Sequence, residues 1–354
     1  MSCFGNARVF IALAGCWLGI SSSAYCQDVG QAVAEVQETS PETSPDENTA
    51  IAAALAEGID DSHDANAATQ FLRLKKDGNG ISQALELAIV TYRAPSEDGI
   101  SVDLIAAVHI GEKAYYEKLN QRFDDYQVLL YELVAPEGTV VPRGGKRPEG
   151  FNPVALLQDT AKDALGLQSQ LSEIDYTKPH MVRADMTPSQ IADKMAQRGD
   201  TPLTLALSTV VDIMREQNLH PLQGDGQDSS ALAEQNPFEL LANPLKLKQV
   251  LAEQFTLSGS IDQSLGKALN QLLIIDRNEE AMHGLQKQIA AGKKRIGVFY
   301  GAAHLPDMER RLIDEFGLVK SEQAWLVAWD LTSASETKLS KPVQTLLKLF
   351  NAFD

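Results

Sequence analysis

Cysteine is missing from everything beyond residue 26 of this 354-residue chain, since Cys3, Cys16 and Cys26 all lie in its first stretch. A domain without thiols has no disulfide framework, no thiolate zinc site and no cysteine nucleophile. Any metal would have to be held by His, carboxylate and water. Lys and Arg are missing from 27–66, where ten acidic residues stand among Ser, Thr, Pro and Ala. Such a segment cannot bury enough apolar surface to offset its ordering entropy, and it reads as an acidic, solvated linker. Also lacking are Gly-x-Gly-x-x-Gly, the phosphate-loop Gly-Lys-Ser/Thr, His-Glu-x-x-His and Gly-x-Ser-x-Gly, the local signatures of four common chemistries. Basic charge is scarce. The net charge is −17 and remains negative over 67–354, which argues against nucleic acid or another polyanion as a partner.

Residues 1–26 are expected to be a secretory leader. Arg8 is the one positive charge, an apolar run covers 9–20, and small and polar residues follow, with a cut after Ala24 or Cys26. The alternative is a lipoprotein box at Leu13-Ala14-Gly15-Cys16, the one route by which a membrane enters the reading. An exported protein, periplasmic or extracellular, is therefore expected. Nothing in the sequence specifies an oligomeric state.

Residues 67–354 have the length of one α/β domain. Apolar, β-branched runs predict strands at 86–94, 102–108, 128–133, 296–300 and 324–331. A helical pattern at 112–126 joins two of them in βαβ spacing. The stretch 151–291 reads as mostly helical. Within it, Thr187-Pro-Ser-Gln190 forms a capping box closed at Gly199, and a second helix covers about 262–291 with Gly292 as its stop. The stripe Leu265, Leu269 and Leu272 of that helix runs on into Asp276 and Glu279, and buried carboxylates need partners. The expectation is a central, mostly parallel sheet with flanking helices and a helical insertion at about 151–291 capping the strand-end crevice.

Two predicted strands end alike, in Ala106-Ala-Val-His109 and Gly301-Ala-Ala-His304, and a third ends in Glu132-Leu133. Small residues at a strand exit allow tight turns or close approach of a ligand, and a histidine there can titrate or bind metal. If these strands are parallel neighbours, His109, Glu132 and His304 meet at the carboxyl edge of the sheet, where open α/β sheets bind ligands. Two imidazoles and a carboxylate match the ligand sets of zinc, iron, manganese and cobalt sites. Arg277 is suited to a substrate carboxylate or a developing oxyanion, Asn278 to a hydrogen bond beside it, and Asp276 to supporting Arg277 or a histidine. On a regular helix, however, Arg277 points about 100° away from Asp276.

These residues together resemble the TraB/GumN family, which includes the TIKI metalloproteases and is marked by two Gly-x-x-His motifs with a glutamate and an Arg-Asn element between them. The matched positions are His109, Glu132, Arg277, Asn278, Gly301 and His304, over roughly 86–331. Ala106 departs from the pattern, standing where the family shows Gly. The resemblance implies a fold related to erythromycin esterase and ChaN-like haem-binding proteins, and a divalent metal (Mn, Co, Zn or Fe) on His109, Glu132 and His304. Glu132, Arg277 and Asn278 would be catalytic, and peptide-bond hydrolysis of a peptide or small-molecule substrate would be the activity. Three alternatives stay open: a metal-free His/Glu esterase, a haem- or iron-binding module, and a peptide-binding protein without catalysis. Of the other histidines, His63 is expected in solvent and His180 and His220 in loops, with His283 packed in the core. Asp185 is expected to support the helix N-terminus, and the basic loop 138–150 to be solvated surface. An amphipathic segment at 339–350 is expected to pack on the domain.

Overall fold

A mixed sheet of seven strands organises the chain, and four of those strands run parallel. The computed structural model describes residues 69–95, 99–145, 165–201, 204–205, 243–257 and 267–333. The expected leader, linker, His63, His220 and the segment 339–350 lie outside them.

In chain order the strands are β1 (Leu72–Lys76), β2 (Ser82–Arg93), β3 (Ser101–Ala107), β4 (Ile110–Gly111), β5 (Val128–Tyr131), β6 (Gln168–Ser169), β7 (Met181–Arg183), β8 (Arg295–Gly301) and β9 (Val319–Asp330). The helices are α1 (Lys113–Phe123), α2 (Gln170–Glu173), α3 (Pro188–Arg198), α4 (Pro244–Leu257), α5 (Lys267–Asn270), α6 (Asp276–Ala290) and α7 (Leu305–Asp314), with a π-turn at Gln271–Ile275 between α5 and α6. All five strands expected from sequence are present. So is the capping box of α3, where Gln190 N–H donates to Thr187 Oγ1 at 3.2 Å and Thr187 N–H to Gln190 Oε1 at 2.7 Å. Gly199 closes α3 in the left-handed region at φ 71°.

β3, β8, β5 and β7 are the parallel set, β8 lying between β3 and β5. Central parallel strands are covered on both faces and read as continuous apolar runs, and β8 is accordingly buried from Ile296 onward. Its register pairs Ala107 with Gly301 and Tyr131 with Phe299, so the three strand exits lie level and whatever follows them shares one edge. α1 covers a face of this set with Tyr115, Tyr116, Leu119 and Phe123, a stripe at helical spacing. The remaining strands run antiparallel: β2 pairs with β1, β3 and β9.

Four strands were not expected: the short pair β4 and β6, which form a separate two-stranded sheet, and two strands of the main sheet, β1 and β7. β1 alternates Leu with Arg and Lys, as an exposed strand at a sheet margin does. β7 lies inside the stretch expected to be a helical insertion, yet its three residues extend the main sheet beside β5. The described parts of 151–291 therefore supply a strand of the platform. Arg143, in the expected surface loop, is mostly exposed and pairs with Asp175 at 3.1 Å.

Gly297 marks the tightest packing on β8. A Cβ there would overlap Leu129 Cδ1 and come within 3.0 Å of Tyr126 Cδ2, and close-packed interiors resist added volume. Gly297→Ala is expected to lower the unfolding free energy by about 1–3 kcal/mol, measured by urea denaturation. A variant as stable as the parent would show that β5 and α1 yield freely at this point.

Candidate functional site

Glu132 is the first residue past β5, and its backbone N–H continues the ladder by donating to Phe299 O at 3.1 Å. Its side chain is nearly buried and fully engaged. Oε1 accepts from Arg277 Nη2 at 2.7 Å, and Oε2 accepts from the Gly301 backbone N–H at 2.7 Å. Burial acts to raise its pKa, but Arg277, then His304 and His109, and the Gly301 N–H hold it down, from 4.5 to about 2. Glu132 is a fixed anion.

Arg277 is clamped between two carboxylates. Asp185, two residues past β7, accepts from Arg277 Nε at 2.9 Å and from Nη2 at 2.7 Å, while Nη2 also reaches Glu132. Asp185 does support the chain leading into α3, accepting from Met186 N–H at 2.8 Å. Its main task is nevertheless ion pairing with Arg277, which the sequence reading missed. Burial raises the Asp185 pKa against the pull of Arg277. The guanidinium that was expected to hold a substrate thus spends these donors on the protein.

The π-turn ahead of α6 settles how three successive polar residues are buried. Asp276, Arg277 and Asn278 are at most 4% exposed, and each turns to a different neighbour. Asp276 accepts from Arg198 Nη2 at 2.7 and 2.6 Å and from Gln271 Nε2 at 3.2 Å. It contacts neither Arg277 nor a histidine through these bonds, so the supporting role expected for it belongs to Asp185 and Asn278. The wider turn also leaves Leu273 O facing Arg277 Nη1 at 3.4 Å.

Asn278 governs His304. Its Nδ2 donates to His304 O at 3.0 Å and to Asp307 Oδ2 at 3.0 Å. That fixes the amide with Oδ1 toward His304 Nδ1, 2.7 Å away. Nδ1 must therefore carry the proton, and Nε2 keeps its lone pair. That Nε2 is 3.7 Å from Glu132 Oε1 and finds no hydrogen-bond partner among the described residues. Burial, above all, lowers the His304 pKa from 6.5 to about 4 despite Glu132, so the ring is neutral at pH 7.

His109 stands where the chain leaves β3, and its backbone is heavily tethered. Ala106 O accepts from Tyr115 Oη at 2.7 Å, Val108 O from Tyr116 Oη at 2.9 Å, His109 O from Gln170 N–H at 2.8 Å, and Ile110 O from Trp329 Nε1 at 2.8 Å. The half-buried imidazole lines a cavity of about 10 Å3 with Glu132, Leu133, Val134, Gln170, Leu171 and Arg277. That is space for about one water, well below a drug-sized pocket. His304 is not among its walls.

The structure thus joins Glu132, Arg277, Asn278 and His304 in one network and sets His109 on a cavity shared with Glu132 and Arg277. His283, expected in the core, is exposed on α6 because the π-turn rotates the buried face to Ala281, Met282 and Leu285. His180 is half-buried in its loop and accepts through its backbone from Leu129 N–H at 2.8 Å. Gln170, Asp185 and Asp307 carried no motif. For Asp185 the only sequence hint was an acid two residues before the Thr187 cap.

A divalent metal on His109, Glu132 and His304 is not accommodated as the side chains lie. Both oxygens of Glu132 already accept short hydrogen bonds, one from a cation. Among the described residues no three His, Cys, Asp or Glu side chains are grouped to hold a metal ion. Ligand sets for such ions need donors at about 2.0–2.2 Å from one point.

Acid should weaken the fold through His304. Between pH 6.5 and 4 the unfolded chain binds a proton at this ring that the folded chain refuses, so stability falls as pH drops through that window. Glu132 acts in the same direction between 4.5 and 2, and the raised Asp185 opposes it. Urea titrations at pH 7 and 4.5 are expected to show a fall on the order of 2 kcal/mol larger in the parent than in His304→Gln. Equal falls in the two proteins would contradict the neutral, buried imidazole. Searches of protein-family models, curated proteins and solved structures return no match for the chain.

Proposed function

We propose that the chain is a hydrolase of ester or amide bonds in which His109 takes the proton from an attacking water. One observation carries this reading: an anion that cannot readily be protonated, Glu132, shares the wall of a water-sized cavity with His109. A fixed carboxylate beside an imidazole stabilises the imidazolium formed when the ring accepts a proton, the logic of base catalysis in hydrolytic triads. In the step, a water O–H bond breaks and its proton goes to His109. The oxygen adds to the carbonyl carbon, and collapse expels the alkoxide or amine, which takes the proton back.

Arg277 keeps Glu132 ionised and aimed, and Gly301 N–H holds its other oxygen. His304, behind Glu132 and off the cavity, is a positioning residue with Asn278. The resemblance to the TraB/GumN family and the TIKI metalloproteases supports a peptide bond as the scissile group, and the leader-like N-terminus supports a substrate met outside the cytoplasm.

The test is hydrolysis of p-nitrophenyl butyrate and a panel of short peptides by the full chain. His109→Ala is expected to lower kcat by about 100-fold or more with thermal unfolding unchanged, and EDTA to have no effect. Activity lost in EDTA and restored by Mn or Zn would replace this reading with a metal-dependent hydrolase. Absence of turnover with a Soret band on haem titration would replace it with haem binding.

A further inference from the structure

One residue of the cavity wall has a buried acceptor that the hydrolase reading does not use. Gln170 is only 6% exposed and lies on the cavity wall with His109 and Glu132. Its backbone and side chain both serve the site. The backbone N–H donates to His109 O at 2.8 Å, and Nε2 donates to Tyr176 Oη at 2.9 Å. Oε1, in contrast, finds no donor among the described residues. A buried amide oxygen without a donor is costly to leave unsatisfied, and such groups are satisfied by a bound water where the space is polar and large enough.

The neighbours decide what that donor is. Glu132 is anionic with both oxygens engaged, and Leu133, Val134 and Leu171 offer no polar side chain to the cavity. Arg277 turns its Nε and Nη2 to Asp185 and Glu132. The cavity has room for about a single water. We propose that Gln170 Oε1 is the second anchor of the attacking water: it accepts one O–H while the other points to His109, which leaves an oxygen lone pair directed at the carbonyl.

Tyr176 holds the amide side chain in place. Its hydroxyl is buried, and burial pushes the phenol well above its ordinary pKa, so it stays protonated while accepting from Gln170 Nε2. Its ring packs on Tyr131 at a centroid distance of 4.9 Å, and Tyr131 immediately precedes Glu132. One aromatic pair thereby links the Gln170 amide to the strand end that carries Glu132. An acceptor at this place positions a nucleophile; it offers nothing to an oxyanion, which requires donors.

This inference rests on the hydrolase reading for its catalytic sense but not for its detection. The experiment is a crystal structure of the full chain and of Gln170→Met, paired with kinetics on p-nitrophenyl butyrate. In the parent an ordered water is expected about 2.8 Å from Gln170 Oε1, and in Gln170→Met that water is lost. The kinetic expectation is a kcat reduced about 10- to 100-fold, KM within about twofold and thermal unfolding unchanged. Gln170→Glu, which keeps an acceptor, is expected to restore the water. A parent whose Oε1 meets a protein donor, or a Met variant that keeps both water and kcat, would overturn the proposal. Were the parent inactive on every substrate, the hydrolase reading would fall, while the presence or loss of that water would still decide what Gln170 does.

Discussion

Everything at the sheet edge depends on one guanidinium. Arg277 enters from α6 and binds the carboxylates that follow β5 and β7, so a single cation ties together a helix and two strand ends far apart in sequence. Taking three charged groups out of water is expensive, and such clusters survive only when geometry is good and remaining polar atoms are satisfied. Here both conditions hold: the Arg–Asp185 contact is bidentate, and Glu132 has a backbone N–H on its other oxygen. The cluster carries one positive and two negative groups. Its unbalanced negative charge opposes, without overcoming, the burial that keeps His304 neutral.

The two histidines divide the labour because their surroundings differ. His304 is sealed, neutral and held in one tautomer by an amide whose other atoms are spoken for. His109 faces the cavity. Similar strand-exit sequences therefore end in different surroundings: His109 lines a cavity, whereas the second exit runs directly into α7. Asn278 ties the second exit to α7, since it also holds Asp307 in that helix's first turn.

Much of this was readable from residue patterns. Strand exits carrying His109, Glu132 and His304 stood out because an ionisable group on an apolar run is costly without a task, and the Thr187 cap was legible because capping is local chemistry. Other features were hidden for definite reasons. Asp185 pairs with Arg277 across 92 positions, and no periodicity reports a partner so distant. β7 is three residues long, too short for an alternating pattern. The π-turn has no sequence signature, so a wheel drawn at 3.6 residues per turn placed His283 inside. Gln170 looked like any surface polar residue until the backbone of His109 was seen to rest on it.

The tethering of the segment around His109 has a consequence for how anything reaches it. Four consecutive-region carbonyls are each held by a donor from elsewhere, three of them bulky aromatic side chains embedded in the core. Breathing of that segment would require unpicking Tyr115, Tyr116 and Trp329 at once, so the imidazole side of the chamber behaves as an anvil. The same wall also carries Leu133, Val134 and Leu171, whose apolar side chains can shift without breaking a side-chain hydrogen bond.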